Sequence, residues 1–407
     1  MNHKVPWGPL AGSYFLGYLW VKCMLSGLLP DRRWDIPLFT AAFFLWGWWA
    51  LHGKRKPCPE SVFFLVCTGI ISLCMGFHRC RATDGWAFLA LHGFAAYWVL
   101  CRSGLLIDGE TGPFLPLDAL TAGGIAPFGG FFLRIRALFS AIRTGFSKDG
   151  RSWVITAVVI LLTIPVLTMA GGLLSEADYA FGRVWEGITS RLNWELSPEK
   201  FNFLFQLLLS LPVGAYLWGL VDGSLRRQQP WFSGTALRQK ASILRLVPAA
   251  GVISVLSCFT ALYLLFFIIQ AGHIWAAFFG RVPGSLTAAQ YAREGFFQLC
   301  AVMTINFGLL LFAARCSRIP MRSHRILKAV GLLLMGESLL LALTAASRLW
   351  LYIMRFGFTP RRLLGVWAVG VLSVGCILAV YTILRPSKVI GKWLLFAVGT
   401  FTLLCLY

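Results

Sequence analysis

Apolar blocks of about 20 residues recur along the whole chain and are separated by short polar stretches. A helix needs about 20 apolar residues to cross about 30 Å of hydrocarbon, so each block has the length of one membrane span. Hydrophobic residues make up 58% of the chain and charged residues only 13%, whereas soluble domains carry about 25% charged residues. The sequence therefore predicts an all-α, polytopic integral membrane protein and excludes a soluble globule.

We expect about eleven transmembrane helices arranged in two bundles. The fifth and sixth contain Pro165 and Pro212, which should kink or locally break their helices. The last block is short for a span. The predicted spans are 10–29, 36–53, 61–78, 86–106, 153–174, 201–225, 249–275, 291–314, 329–357, 366–384 and 393–407.

The chain is predicted to have three segments. Residues 1–106 form a bundle of four helices, and residues 153–407 form a second bundle of about seven. Residues 107–152 begin as an irregular connector rich in Gly and Pro, and then become a basic amphipathic helix. Such a helix lies in the membrane interface, so we expect Arg134, Arg136 and Arg143 to contact anionic lipid.

A second amphipathic segment lies between spans five and six. Ser175 and Asp178 resemble a capping box, and apolar residues then recur at helical spacing up to Leu192. We expect a short helix here on the outer membrane surface.

The distribution of basic residues predicts the orientation of the spans. With a cytoplasmic amino terminus, most of the 37 Lys and Arg residues fall in cytoplasmic loops, as the positive-inside rule requires. The exception is the loop after span nine, which carries Arg348, Arg355, Arg361 and Arg362 on the predicted outer side.

The most informative stretch is span nine, because Glu337 lies in the middle of its apolar run. A carboxylate at bilayer depth is costly unless it is paired or hydrated. Glu337 is followed by Thr344, Arg348, Tyr352 and Arg355 at spacings of seven, four, four and three, which places all five on one helix face. They form a candidate polar intramembrane site.

The preceding span supplies possible partners for this stripe. Tyr291, Glu294 and Gln298 share a face at its outer end with Arg293 nearby, and Asn306 lies near its middle. Antiparallel packing brings the outer end of span eight level with that of span nine. We therefore predict that Glu294 contacts Arg348 or Arg355, because charges in low dielectric need a partner.

No motif for catalysis or for a cofactor is present. The eleven Cys lie mostly in apolar segments without Cys-x-x-Cys spacing, and we find no nucleophile elbow, zinc-protease helix or Walker loop. We predict no catalytic, cofactor or metal residues and no nucleic-acid partner, and we favour a role that is not enzymatic.

Two motifs in this region resemble a known family. The run YAREGFFQL at 291–299 resembles an Arg-Glu-Gly-Phe element. The run RLWLYIMRFGFTPRR at 348–362 resembles a Leu-Tyr-Ile, Gly-Leu-Thr, Arg element, with Phe358 in place of the usual Leu. Both elements occur in uncharacterised bacterial polytopic membrane proteins, the domain of unknown function numbered 4153 or 4173. The resemblance covers roughly residues 150 to 400 and implies a bacterial cytoplasmic membrane location without implying an activity.

Three functions are consistent with these features. A transporter or channel-like protein would use the polar stripe to line a path, with the proline-containing spans as moving parts. A non-catalytic partner or sensor in an envelope or signalling complex would use the amphipathic helices as docking faces. An intramembrane enzyme would need a catalytic group that we do not find. We favour the transporter, because a structural ion pair at the outer end does not require an acid at mid-depth.

Overall fold

The structure is a computed structural model that describes residues 7–27, 34–53, 56–77, 84–132, 134, 136, 153, 156, 159, 163, 167, 170–191, 198–276 and 296–406. The described part is helical and contains no β-strand, only an isolated bridge between Val247 and Ser317. The predicted all-α class is therefore confirmed.

The helices follow one another with short connections. The described helices are α1 (Trp7–Gly27), α2 (Asp35–Ala50), α3 (Ser61–Phe77), α4 (Asp84–Ser103), α5 (Leu115–Leu120), α6 (Ala126–Phe131), α7 (Tyr179–Arg191), α8 (Pro198–Arg226), α9 (Gly234–Ile243), α10 (Ala249–Ala276), α11 (Phe296–Cys316), α12 (Arg325–Phe356), α13 (Pro360–Leu384) and α14 (Val389–Leu404).

Five of the described helices contain segments long and apolar enough to cross a membrane. These segments are Phe205–Arg226 of α8, Ala249–Ile269 of α10, and the whole of α11, α12 and α13. Helices α3 and α14 are apolar but shorter. The protein is thus a helical membrane protein with several spans, and the number eleven stays a prediction. Span five falls largely outside the described residues.

The described residues form two compact units, and the three predicted segments stay predictions. Unit 1 comprises described residues within 1–79, 91–105 and 118–229, and unit 2 comprises those within 80–90, 106–117 and 230–407. In unit 1, α1 packs on α2 and α8, and α6 also packs on α8. In unit 2, α12 packs on α10, α11 and α13, and α13 packs on α14.

Glycines allow the helices of unit 1 to pack closely. A Cβ on Gly219 of α8 would lie 2.1 Å from the carbonyl oxygen of Pro127, and one on Gly17 of α1 would lie 2.8 Å from the Cα of Gly214. Small residues let helix backbones approach in this way within membranes. Helix α8 also continues through Pro212, so the prediction that this proline might break the helix is wrong.

The connector after α4 is more ordered than we expected. Residues 107–109 form a 3₁₀ turn, and residues 115–131 are helical, with a π-helical turn between α5 and α6. The Gly and Pro residues that indicated an irregular chain serve packing instead, since Gly130 contacts Gly219 of α8. The expectation of an irregular connector is therefore wrong for residues 115–131.

The basic segment after α6 is described only at Arg134 and Arg136. Arg134 is 2% exposed: its guanidinium lies 3.5 Å from the centre of the Tyr14 ring and donates to the Leu211 carbonyl at 2.7 Å. This burial does not fit the predicted lipid contact for Arg134, because a headgroup needs an exposed side chain. Arg136 is exposed, Arg143 lies outside the described residues, and lipid contact at both stays a prediction.

Helix α7 matches the predicted amphipathic segment. The Asp178 side chain accepts a hydrogen bond from the backbone N–H of Phe181 at 2.7 Å and so caps the helix start. Val184 and Ile188 on the apolar side are exposed. The location of α7 on the outer membrane surface stays a prediction.

Candidate functional site

The polar stripe on α12 is buried at one end and exposed at the other. Glu337 and Thr344 are each 2% exposed and Arg348 is 9% exposed. Tyr352 is half-buried, and Arg355, one turn before the helix end, is exposed. The structure thus places the first three residues of the predicted site inside unit 2 and the last one at its surface.

Three hydrogen-bonded side chains cross unit 2 beside Glu337. The Tyr263 hydroxyl of α10 donates to Asn306 Oδ1 of α11 at 2.8 Å, and Asn306 Nδ2 donates to Ser338 Oγ of α12 at 2.8 Å. Ser338 in turn donates to the carbonyl of Leu334 in its own helix at 2.9 Å. Asn306 and Ser338 are fully buried. These side chains, with Thr260 and Glu337, are called the polar cluster below.

Glu337 lies in the polar cluster without joining its hydrogen bonds. The carboxyl group neighbours the side chains of Thr260 and Tyr263 on α10. Neither carboxyl oxygen of Glu337, nor the Thr260 hydroxyl, has hydrogen-bond geometry with any described group. A buried polar group normally has a partner, and one that lacks it needs an explanation.

Apolar cores enclose the polar cluster within unit 2. One core contains Leu256, Leu334 and Met335, and a second contains Met303, Leu341 and Ala345. Asn306, Glu337 and Ser338 lie at sequence positions between these two sets on α11 and α12. The low polarity of these surroundings strengthens each hydrogen bond and raises the cost of each missing one.

Several predicted site residues lie elsewhere. Tyr291, Arg293 and Glu294 are outside the described residues, and so is the predicted contact between Glu294 and an arginine of α12. Gln298 is exposed near the start of α11. Of the residues predicted on span eight, only Asn306 lies in the polar cluster.

Sequence reasoning missed Thr260, Tyr263 and Ser338. Thr260 and Tyr263 are three residues apart in the apolar run FTALYLL, so they share a helix face. That spacing, together with Ser338 directly beside Glu337, was the available signal. It did not reveal that α10 packs on α12, because this contact depends on the tertiary structure.

A family model shows how this chain relates to others. The model described as "Domain of unknown function (DUF4153)" matches residues 65–407, which is most of the chain. This chain belongs to the DUF4153 family. No curated protein and no solved structure matches it.

The second DUF4153-like motif forms the turn between α12 and α13. Gly357 ends α12 with a φ of 75°, a backbone conformation that favours glycine. The Thr359 hydroxyl accepts from the N–H of Arg362 at 3.4 Å, and Pro360 begins α13. Arg362 donates to the Phe356 carbonyl at 2.7 Å and lies 4.1 Å from the centre of the Tyr352 ring. The motif thus stabilises a helical hairpin.

The described residues of this DUF4153 protein contain no group of three or more His, Cys, Asp or Glu side chains arranged to hold a metal ion. The polar cluster instead offers one carboxyl, one amide and three hydroxyl groups. Such a set can bind and release a proton or hold a polar ligand.

Proposed function

We propose that this DUF4153 protein is a transporter in which Glu337 binds and releases a proton as the helices of unit 2 move. The observation that carries the proposal is the burial of Glu337, at 2% exposure, with both carboxyl oxygens unpaired among the described residues. An acidic residue inside a membrane bundle is expensive and usually marks a path for ions or protons.

The environment of Glu337 supports a change of state during the transport cycle. Burying an ionised carboxylate without partners costs far more than burying a neutral acid. We therefore expect Glu337 to be neutral in this closed arrangement and to ionise when water reaches it. The nearby hydroxyls of Thr260 and Tyr263 could then donate hydrogen bonds to the carboxylate.

We further propose that the loops joining α9 to α10, α11 to α12 and α13 to α14 face the cytoplasm of a bacterial cell. The bridge between Val247 and Ser317, and the hydrogen bonds from Arg322 to the Thr382 carbonyl, support a common end for these loops. Basic residues cluster there, including Arg245, Arg318 and Arg385. The positive-inside rule favours this orientation and a cytoplasmic amino terminus.

A structural role in a membrane complex is the second candidate function. It is favoured by the hydrogen bonds of Tyr263, Asn306 and Ser338, which join three helices without any need for water. Under this alternative the polar cluster holds α10, α11 and α12 together, and Glu337 stays neutral at all times.

Carbodiimide modification of the full chain in nanodiscs distinguishes the two functions. Dicyclohexylcarbodiimide enters bilayers and adds to neutral carboxyl groups, and mass spectrometry locates the resulting acylurea. We expect an adduct on Glu337 whose yield falls as the pH rises, because ionisation removes the reactive form. Asp222 is the internal control, since it is also buried but is paired with Arg226 at 2.5 Å.

Two further results complete this test. The Glu337→Gln variant should fold and lose the adduct, which confirms the site of modification. A Glu337 that stays unmodified at every pH, in protein that reacts at exposed acids, would reject the transporter and favour the structural role.

A further inference from the structure

Unit 2 contains an apolar groove that is separate from the polar cluster. Its volume is about 590 Å³, which is within the range of about 300 to 1,000 Å³ that is typical of ligand pockets. The walls come from α11, α13 and α14 and include Phe307, Leu311, Leu378, Ile390 and Trp393. Because α11 and α13 are membrane-spanning segments, we expect this groove to lie against lipid chains.

The packing of an aromatic pair keeps the groove open. The rings of Phe307 and Trp393 lie 5.8 Å apart, and the Trp393 indole donates to the carbonyl of Val371 at 2.9 Å. A Cβ on Gly375 would lie 2.9 Å from Phe307 and 3.0 Å from Trp393. These contacts fix both rings in place, so the groove does not depend on mobile side chains.

Two arginines lie at one end of the groove, and a third is close by. Arg245 and Arg322 line the groove, and Arg245 also lines a neighbouring cavity of about 260 Å³ together with Arg238 and Arg315. Arg322 donates to the carbonyls of Thr382 and Arg385, which fixes its guanidinium without neutralising its charge. Among the described residues, Arg238 is paired with Asp108, whereas Arg245, Arg315 and Arg322 are in no ion pair.

We propose that this groove binds an anionic phospholipid, with one acyl chain along the apolar wall and the phosphate at Arg245 and Arg322. The apolar wall alone would accept any lipid chain, but the arginines select a negatively charged headgroup. Basic pockets between membrane helices at the cytoplasmic side bind anionic headgroups in this way. The proposal is independent of the proposed function, since no residue of the polar cluster lines the groove.

Native mass spectrometry of the full chain in detergent tests this proposal with two lipids as probes. Phosphatidylglycerol is the anionic lipid and phosphatidylcholine is the neutral lipid of the same chain length. We expect phosphatidylglycerol to remain bound at concentrations about tenfold lower than phosphatidylcholine. Equal retention of the two lipids would overturn the proposal, because the groove would then bind lipid without selecting charge.

Variants at each end of the groove assign the binding to it. Arg245→Gln should weaken phosphatidylglycerol binding about fivefold and leave phosphatidylcholine unchanged. The matched control is Arg355→Gln, which removes an exposed arginine from the other end of α12. If both variants weaken binding equally, the selection for charge arises from the whole surface and not from the groove.

The acyl-chain part of the site needs its own variant. Ala379→Phe places a ring inside the groove and should reduce the binding of both lipids, whereas Ile377→Phe adds a ring at an exposed position of the same helix and should not. Circular dichroism shows whether each variant keeps its helices. A folded Ala379→Phe protein that binds phosphatidylglycerol as tightly as the wild type would overturn the assignment of the chain to this groove.

Discussion

The side-chain nitrogen of Asn306 lies 2.8 Å from the hydroxyl oxygen of Ser338, and both residues are completely buried between α11 and α12. Asn306 also accepts from Tyr263, so a single amide joins three helices. Glu337 is adjacent to Ser338 in sequence but remains outside this set of hydrogen bonds. The same polar cluster thus contains a satisfied part, which holds the helices together, and an unsatisfied acid, which is free to change its protonation.

The hydrogen bond from Asn306 should contribute measurably to stability. We predict that Ser338→Ala lowers the free energy of unfolding by about 1 to 2 kcal/mol, because it leaves the Asn306 amide without its acceptor. Ser254→Ala is the control: Ser254 is exposed on α10 and bonds only to the carbonyl of Ala250 in its own helix. Unfolding in mixed micelles measures both variants, and equal losses would contradict a special role for Ser338.

The close packing of α6 on α8 predicts a severe effect at Gly219. A Cβ there would meet the backbone of Pro127 and Gly130, neither of which can move aside as a side chain can. We expect Gly219→Ala to cost about 1 to 3 kcal/mol of unfolding free energy. Gly69→Ala in α3 has open space around it and should be neutral or stabilising, since Ala favours helix. A neutral Gly219→Ala would show that the two helices can separate freely.

The turn before α5 depends on Asp108. Its φ is 64°, unusual for a residue with a side chain, and its carboxylate pairs with Arg238 of α9. Asp108→Ala should accelerate proteolysis around residues 104–114 more than Asp108→Asn does, because Asn tolerates this backbone conformation and Ala does not. Glu110→Gln serves as the control, since its pair with Lys388 is exposed and contributes little. Equal effects of all three variants would contradict this account.

The hairpin between α12 and α13 depends on Arg362. Its guanidinium bonds the last carbonyls of α12 and stacks over Tyr352. We predict that Arg362→Gln lowers the unfolding free energy by about 1 kcal/mol, and that Tyr352→Phe, which keeps an aromatic face, has a smaller effect than Tyr352→Leu. The neighbouring Arg361→Gln removes an exposed arginine and should be neutral. If Arg361→Gln were equally harmful, net charge at this turn would be the cause.

The sequence predicted the helical spans of unit 2 closely, because apolar length and helix-ending residues are local signals. Span seven was predicted at 249–275, and α10 is Ala249–Ala276. Span ten was predicted to begin at residue 366, but α13 begins at Pro360, because Thr359 caps it and Pro360 is suited to the first turn. Capping outweighed the charges of Arg361 and Arg362.

The candidate site was predicted less completely than the spans. The acid in an apolar run identified Glu337 correctly as a buried residue, and Asn306 followed from its depth in span eight. The partners Thr260 and Tyr263 come from α10, which is distant in sequence, so no local pattern could pair them with α12. Periodicity on one helix gives the buried face, but it does not say which other helix covers that face.

Infrared difference spectroscopy of the full chain tests the central claim, that Glu337 exchanges a proton, most directly. Spectra recorded at low and high pH, for the wild type and for Glu337→Gln, isolate the carbonyl band of this one carboxyl group. The account predicts a neutral-acid band that is present at low pH, disappears at high pH, and is absent from Glu337→Gln. A Glu337 band that persists unchanged over the whole pH range in which the protein stays folded would contradict it.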